Sequence, residues 1–348
     1  MKLNFNLKRI RRDVPNPANS FRFHRGEYGH NYLMNVNHDR YYADTESLIK
    51  EIKKKLKLSK NQKVVLGQGA ESLIKDIIFW HSNETKNNKR ILIYEPNYFM
   101  YEYFAKLNGY KIFKFHLSKV QDYYINENEI IKNLKQNKIK LLVLVNPSAP
   151  LEKQIKKSSL KKIIEYCKKK KIFIILDEVY EDFYNKDSFN LLKKYENIII
   201  IRTFSKMAGY PGLKVGFAIS RKKVFQAMNS LRLSVEHSSY VVNKCINLLK
   251  SNSIKKNQKT ILNTIEWGRK NFLKINITPL TKKIIWFTID LKQKKLKKDV
   301  LKIFKKKNIY VYHRFNNDLD TFISFTASHL KNFKYIFKVI KSKVLKKN

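Results

Sequence analysis

Two residues 29 positions apart carry most of the chemistry in this chain, Asp177 and Lys206. Lys206 lies in Arg202-Thr203-Phe204-Ser205-Lys206-Met207-Ala208-Gly209-Tyr210-Pro211-Gly212, between the apolar runs Asn197 to Ile201 and Val215 to Ile219. A lysine amine flanked by hydroxyls and held between two buried strands can condense with the aldehyde of a carbonyl cofactor. The competing reading is a solvated side chain, because lysine is the commonest basic residue here. Asp177 ends the apolar run Ile172 to Leu176. It is therefore predicted at the C-terminal edge of a buried strand, where open α/β sheets bind ligands. A buried carboxylate there can keep a ring nitrogen protonated, or it can cap a following helix. Tyr180 lies three residues on and can offer a phenol to the same ring.

Three further stretches could hold the rest of a ligand. Val64-Val65-Leu66-Gly67-Gln68-Gly69-Ala70-Glu71-Ser72 reads as a strand turning into a helix. Such a turn points free backbone N–H groups and the positive end of the helix dipole at an anion. Ile91-Leu92-Ile93-Tyr94-Glu95-Pro96-Asn97-Tyr98 ends a second strand and presents a flat aromatic, Tyr98. Lys140 to Pro147 is a third buried strand, stopped at Asn146-Pro147. The elements that must position these groups alternate. Helices are predicted at 44–58, 70–82, 97–108, 126–137 and 156–170, and strands at 63–67, 90–94, 110–115, 172–176, 197–201 and 215–219. Helices dominate 221–273. Strands near 284–290, 309–312 and 321–325, with helices near 296–307 and 329–345, form a smaller α+β portion. Residues 1–40 read as an irregular arm, 41–245 as the large domain and 246–348 as the small one.

Asp177-Glu178-Val179-Tyr180, Thr203-Phe204-Ser205-Lys206 and Gly212-Leu213-Lys214-Val215-Gly216-Phe217 come in the order of a known family. From about residue 40 to the C-terminus the chain resembles the fold-type I enzymes of the class I/II aminotransferase family, nearest the histidinol-phosphate aminotransferase branch. The resemblance implies a three-layer α/β/α large domain with a mostly parallel sheet, plus a smaller C-terminal α+β domain. It implies pyridoxal 5'-phosphate as cofactor, a small amino donor and a 2-oxo acid acceptor, and a homodimer with sites at the subunit interface. Lys206 would be the imine-forming lysine and the proton carrier, Asp177 the partner of the ring nitrogen, and Tyr180 the partner of the phenolic oxygen. Tyr98 would stack on the ring, and Asn146 would also contact the cofactor. Gly69, Ala70, Glu71, Ser205 and Lys214 would hold the phosphate. Arg40-Tyr41-Tyr42-Ala43-Asp44 resembles the family's Tyr-Pro-Asp element without its proline, which makes Tyr41 the residue that reaches the partner subunit's phosphate.

The chain departs from that pattern at three places. Ala149, in Asn146-Pro147-Ser148-Ala149-Pro150, replaces an asparagine that donates to the phenolic oxygen, and alanine has no donor. Lys214 replaces a phosphate-binding arginine, keeping the charge and losing the bidentate fork. Phe322, in Thr321-Phe322-Ile323-Ser324-Phe325-Thr326, replaces the arginine that grips the substrate's anion; Arg314, eight residues earlier, is the candidate substitute. Transamination is the favoured chemistry. A decarboxylase or lyase resembling threonine-phosphate decarboxylases is the alternative, and a catalytically silent cofactor-binding homologue is another.

Composition is consistent with a folded enzyme. The chain has 348 residues, 43% of them hydrophobic, which excludes a disordered chain. It shows no uninterrupted apolar run of about 18 residues, the length of a membrane helix, and no signal-peptide apolar segment at Met1 to Asn6. The expectation is a cytoplasmic protein. Cys167 and Cys245 suggest neither a disulfide framework nor a metal site. The net charge of +45 comes from lysine, with only 12 arginines among 73 basic residues. Asn and Ile are also abundant, a pattern that AT-rich codons explain without selection for nucleic-acid binding.

Overall fold

The computed structural model describes residues 21–22, 43–85, 87–117, 122–233, 236–315 and 317–345. Its strands are β1 (Phe21–Arg22), β2 (Lys63–Gln68), β3 (Arg90–Glu95), β4 (Lys111–His116), β5 (Leu141–Val145), β6 (Phe173–Asp177), β7 (Ile198–Thr203), β8 (Val215–Ser220), β9 (Trp286–Asp290), β10 (Ile309–Tyr310) and β11 (Phe322–Thr326). Seven of them form one sheet in the order β2-β8-β7-β6-β5-β3-β4. The pairs β4·β3, β3·β5, β5·β6 and β6·β7 are parallel, while β8 runs antiparallel to both neighbours. The central strands β5 to β8 are buried at every residue. Continuous Ile, Leu and Val runs produce that pattern, because a parallel sheet is covered on both faces.

The helices follow the expected order. They are α1 (Thr45–Lys55), α2 (Gly69–Glu84), α3 (Met100–Leu107), α4 (Glu127–Gln136), α5 (Lys157–Lys169), α6 (Leu191–Lys194), α7 (Lys222–Ser230), α8 (Ser239–Lys250), α9 (Ser253–Leu273), α10 (Lys294–Lys306) and α11 (Leu330–Val344). Helix α1 shows why they form where they do. Asp44 caps it by accepting from Ser47 N at 3.0 Å, Leu48 and Ile52 bury one face, and three lysines face the negative end of its dipole. Each fully buried aliphatic side chain of this kind contributes about 1.5–3 kcal/mol.

The smaller portion pairs β9 antiparallel with β11 and extends it through a bridge from Tyr312 to Ser324. Strand alternation gives this pair of strands two faces. Phe287, Ile289, Ile323 and Phe325 belong to a second hydrophobic core with α9, α10 and α11. Phe322 points the other way and joins the core of the large sheet. Thr288 donates to the carbonyl of Pro150 at 2.6 Å, tying this face to the end of β5. We propose that the domains divide close to the expected 245–246, a position inside α8; the next helix, α9, carries Ile254 of the first core and Ile261 of the second.

Two elements differ from expectation. Within the arm, Phe21–Arg22 is a short strand paired in parallel with Ile309–Tyr310, a contact across most of the chain. After Asp177 the backbone turns instead of entering a helix, so Asp177 caps none. Cys167 and Cys245 are both free and buried.

Candidate active site

The C-terminal ends of β6 and β7 bring the two key residues to one edge. Asp177 is the last residue of β6 and is 2% exposed. Its Oδ2 accepts from the Tyr101 hydroxyl at 2.7 Å and its Oδ1 from Val179 N at 3.0 Å. Burial pushes its carboxyl up to about 6, the Tyr101 and Val179 hydrogen bonds oppose that push, and the neighbouring charges of Glu178 and Lys206 act in opposite directions, up and down. Lys206 follows β7 by three residues and is half-buried, with Nζ 5.7 Å from the centre of the Tyr180 ring. Burial raises the Tyr180 phenol well above its ordinary value, opposed by a hydrogen bond with Trp286 of β9. Lysine, tyrosine and buried carboxylate thus meet at one edge of the sheet, next to Trp286 of β9.

The corner at the start of α2 is built from backbone. Gly69 opens α2 with φ +70°, a left-handed conformation that costs glycine nothing. Gly216 lies across from Gly67 in the β2·β8 ladder, and a Cβ on it would come within 2.5 Å of the Gly69 carbonyl carbon and 2.6 Å of Ala70 N. Only glycine permits that approach. The Lys214 carbonyl lies 4.0 Å from where a Gly69 Cβ would be, so Gly69, Ala70 and Lys214 share one corner, with the lysine side chain exposed. Thr203 Oγ1 lies 3.0 Å from Ser205 Oγ and accepts from Ser205 N at 3.1 Å, which fixes the turn into Lys206.

Other expected residues take more specific positions. The Tyr98 hydroxyl donates to Glu71 Oε2 at 2.8 Å, so the Glu71 carboxylate is engaged with the aromatic residue at this turn. Asn146 Oδ1 accepts from Ile155 N at 2.9 Å and closes the loop after β5. Ala149 packs against the small domain's core. Phe322 is buried between Phe315, 6.2 Å away, and Tyr123, 6.0 Å away. Arg314 is exposed on the preceding loop, and its charge acts on Tyr312. Lys297, 8% exposed, pins that loop by donating to the carbonyls of His313 at 2.8 Å and Asp320 at 2.6 Å. Tyr41 lies outside the described residues.

Sequence reasoning missed Tyr101, Gly216 and Arg202. Arg202 forms a buried ion pair with Glu178, Nη2 to Oε2 at 2.6 Å, beneath the turn that carries Tyr180. Tyr101 had one sequence signal, a second tyrosine three residues after Tyr98, which reads equally as core.

The site fits a cofactor with an anionic tail and a basic ring nitrogen. A glycine-built cradle of backbone N–H groups suits a phosphate. A buried carboxylate held by neutral donors suits a cation arriving with the ligand.

The chain belongs to the family described as aminotransferase class I and II, which it matches over residues 19–330. It is an enzyme of that family, with pyridoxal 5'-phosphate as its cofactor, and it resembles histidinol-phosphate aminotransferases. One such enzyme, from Clostridium novyi (strain NT), is 28% identical over 282 residues, covering 78% of this chain and 70% of the relative. Another, from Pelagibacter ubique (strain HTCC1062), is 32% identical over 193 residues, covering 54% of this chain and 51% of the relative. The fold also matches the histidinol-phosphate aminotransferase from Sinorhizobium meliloti in complex with pyridoxal-5'-phosphate. That match has a TM-score of 0.78 and 17% identity over 89% of this chain and 84% of the other. Among the described residues no helix is long and apolar enough to cross a membrane, and no cluster of side chains could hold a metal.

Proposed function

We propose that this protein moves the amino group of a small donor to a 2-oxo acid, as a cytoplasmic homodimer serving biosynthesis. Histidinol phosphate is the donor suggested by the named relatives. The observation that carries the reading is the meeting of Lys206, Tyr180 and the buried Asp177 at one sheet edge. When bound, pyridoxal phosphate supplies an electron sink for a carbanion next to the donor nitrogen.

The chain's own residues supply the rest. The Lys206 amine carries the proton that leaves one carbon and returns to another, a general-base and then general-acid role. Asp177 keeps a proton on the ring nitrogen, which is favourable only if the carboxylate is ionised when the ring is present. The Tyr180 phenol stays protonated, because burial raises it, and so it donates to the neighbouring oxygen. Tyr98 is held by Glu71 as the stacking face. Ser205, Lys214 and the turn at Gly69, Ala70 and Glu71 receive the phosphate, Asn146 lines the site, and Tyr41 would complete it in the partner subunit. Arg314 is the group assigned to the substrate's anion, since Phe322 is buried and carries no charge.

The purified chain should develop a visible absorption band with pyridoxal phosphate, and borohydride should fix the cofactor on the peptide that contains Lys206. Lys206→Ala should lack the band and lose about 10²- to 10⁴-fold in turnover, the range for one acid–base group. A wild-type chain without the band, or a label elsewhere, contradicts the assignment. Release of carbon dioxide from an amino-acid donor without formation of an oxo acid would identify a decarboxylase instead.

A further inference from the structure

We propose that Tyr101 is a positioning residue for the cofactor, its hydroxyl being the fixed neutral donor that orients the Asp177 carboxylate for the ring nitrogen. This rests on the role of Asp177 proposed above. Tyr101 sits in the first turn of α3 and is fully buried, and its hydroxyl meets Asp177 Oδ2 at 2.7 Å. The other oxygen is held by Val179 N at 3.0 Å. Each carboxylate oxygen is thus anchored once and keeps accepting capacity for a further donor.

A hydroxyl at this place needs a reason beyond packing. The buried face of α3 is otherwise apolar, with Met100, Phe104 and Ala105. Phenylalanine would fill almost the same volume without burying a polar group, which costs stability unless it is hydrogen-bonded. The neighbouring buried phenol, Tyr94, donates elsewhere, to the carbonyl of Val145. Val145 is the residue in register with Asp177 on the adjacent strand. Tyr94 thereby fixes the strand while Tyr101 fixes the side chain.

The chemistry of the donor also matters. An arginine here would neutralise Asp177 and compete with a protonated ring nitrogen for it. A phenol donates without bringing charge, so it stabilises the ionised carboxylate and adds no cation that would compete with the ring nitrogen. Burial holds the Asp177 carboxyl near 6 even with this hydrogen bond opposing it. Losing the bond makes the ionised form harder still to reach.

The test is a double-mutant cycle in the full chain, reading pyridoxal phosphate affinity from the visible band. Tyr101→Phe should weaken binding about tenfold or more, the equivalent of one hydrogen bond to a charged group. The pH below which affinity is lost should move upward as well. In an Asp177→Asn background, where no charge remains to orient, Tyr101→Phe should change affinity little. Equal losses in both backgrounds, or wild-type affinity in the single variant, overturn the proposal while leaving the cofactor reading intact. Absence of the band in the wild-type chain would instead sink the cofactor reading and this one with it.

Discussion

Asp177 and Glu178 are consecutive, equally buried carboxylates, and the protein treats them in opposite ways. Successive residues at a strand end face opposite sides of the sheet. Glu178 faces Arg202, which meets Oε2 through Nε at 2.8 Å and Nη2 at 2.6 Å, and Ser188 donates to the same oxygen at 2.7 Å. The guanidinium then reaches the carbonyls of Asp182 at 2.8 Å and Asn185 at 3.1 Å. It knits the 178–188 turn to β7. Asp177 instead receives two neutral donors. Burial pushes both carboxyls up, and Arg202 opposes that push at Glu178. The structural carboxylate is hydrogen-bonded to its cation, whereas the ligand-binding one is hydrogen-bonded by neutral donors and only feels the charge of Lys206. The difference separates scaffold from site within two residues.

Removing the scaffold's cation should have the largest effect. Arg202→Met strands a buried charge, and we expect a loss of about 3–5 kcal/mol in chemical unfolding. A loss below about 1 kcal/mol would mean that the pair does not hold the turn, and the comparison would lose its structural half.

The site half makes a prediction of opposite sign. The Asp177 carboxyl is raised by folding to about 6 from 3.8. A raised carboxyl contributes stability below its unfolded value and loses it as pH rises through the folded one. The cofactor-free chain therefore carries a cost that appears between about pH 4 and pH 6 and is complete above that. Asp177→Asn removes the cost. Thermal or urea unfolding of the cofactor-free variant should show a gain on the order of 3 kcal/mol at pH 8 and almost none below pH 4. With cofactor bound, the same substitution should be destabilising. A variant less stable than wild type at pH 8 without cofactor would place Asp177 with Glu178 as scaffold.

Much of the site was legible because it lies at strand ends, where an apolar run stops at a charged or small residue. Ile172 to Asp177 and Asn197 to Lys206 are of this kind, and both strands fall within two residues of expectation. The Gly69 turn was legible for the same reason. What the sequence did not disclose are pairings at long separation. Tyr101 and Asp177 are 76 residues apart, and Arg202 and Glu178 24 apart. Neither pair lies within one strand or helix, so no periodicity joins them. The strand at Phe21–Arg22 escaped notice because its partner, Ile309–Tyr310, lies at the other end of the chain. Glu71 was expected at the turn into α2, but its hydrogen bond to Tyr98 depends on how α2 and α3 meet. The aromatic setting of Phe322 likewise needed Phe315 and Tyr123 brought together by the fold.

The central claim is that the buried Asp177 is hydrogen-bonded only by neutral donors so that the cofactor can supply a bonded cation. Its side-chain carboxyl can be followed by carbon-13 NMR as pH is changed, in the full chain with and without pyridoxal phosphate. The account predicts a midpoint of about 6 without cofactor, moving well down when the cofactor is bound. A carboxyl already ionised at pH 4 without cofactor, or a midpoint that the cofactor leaves in place, would contradict it.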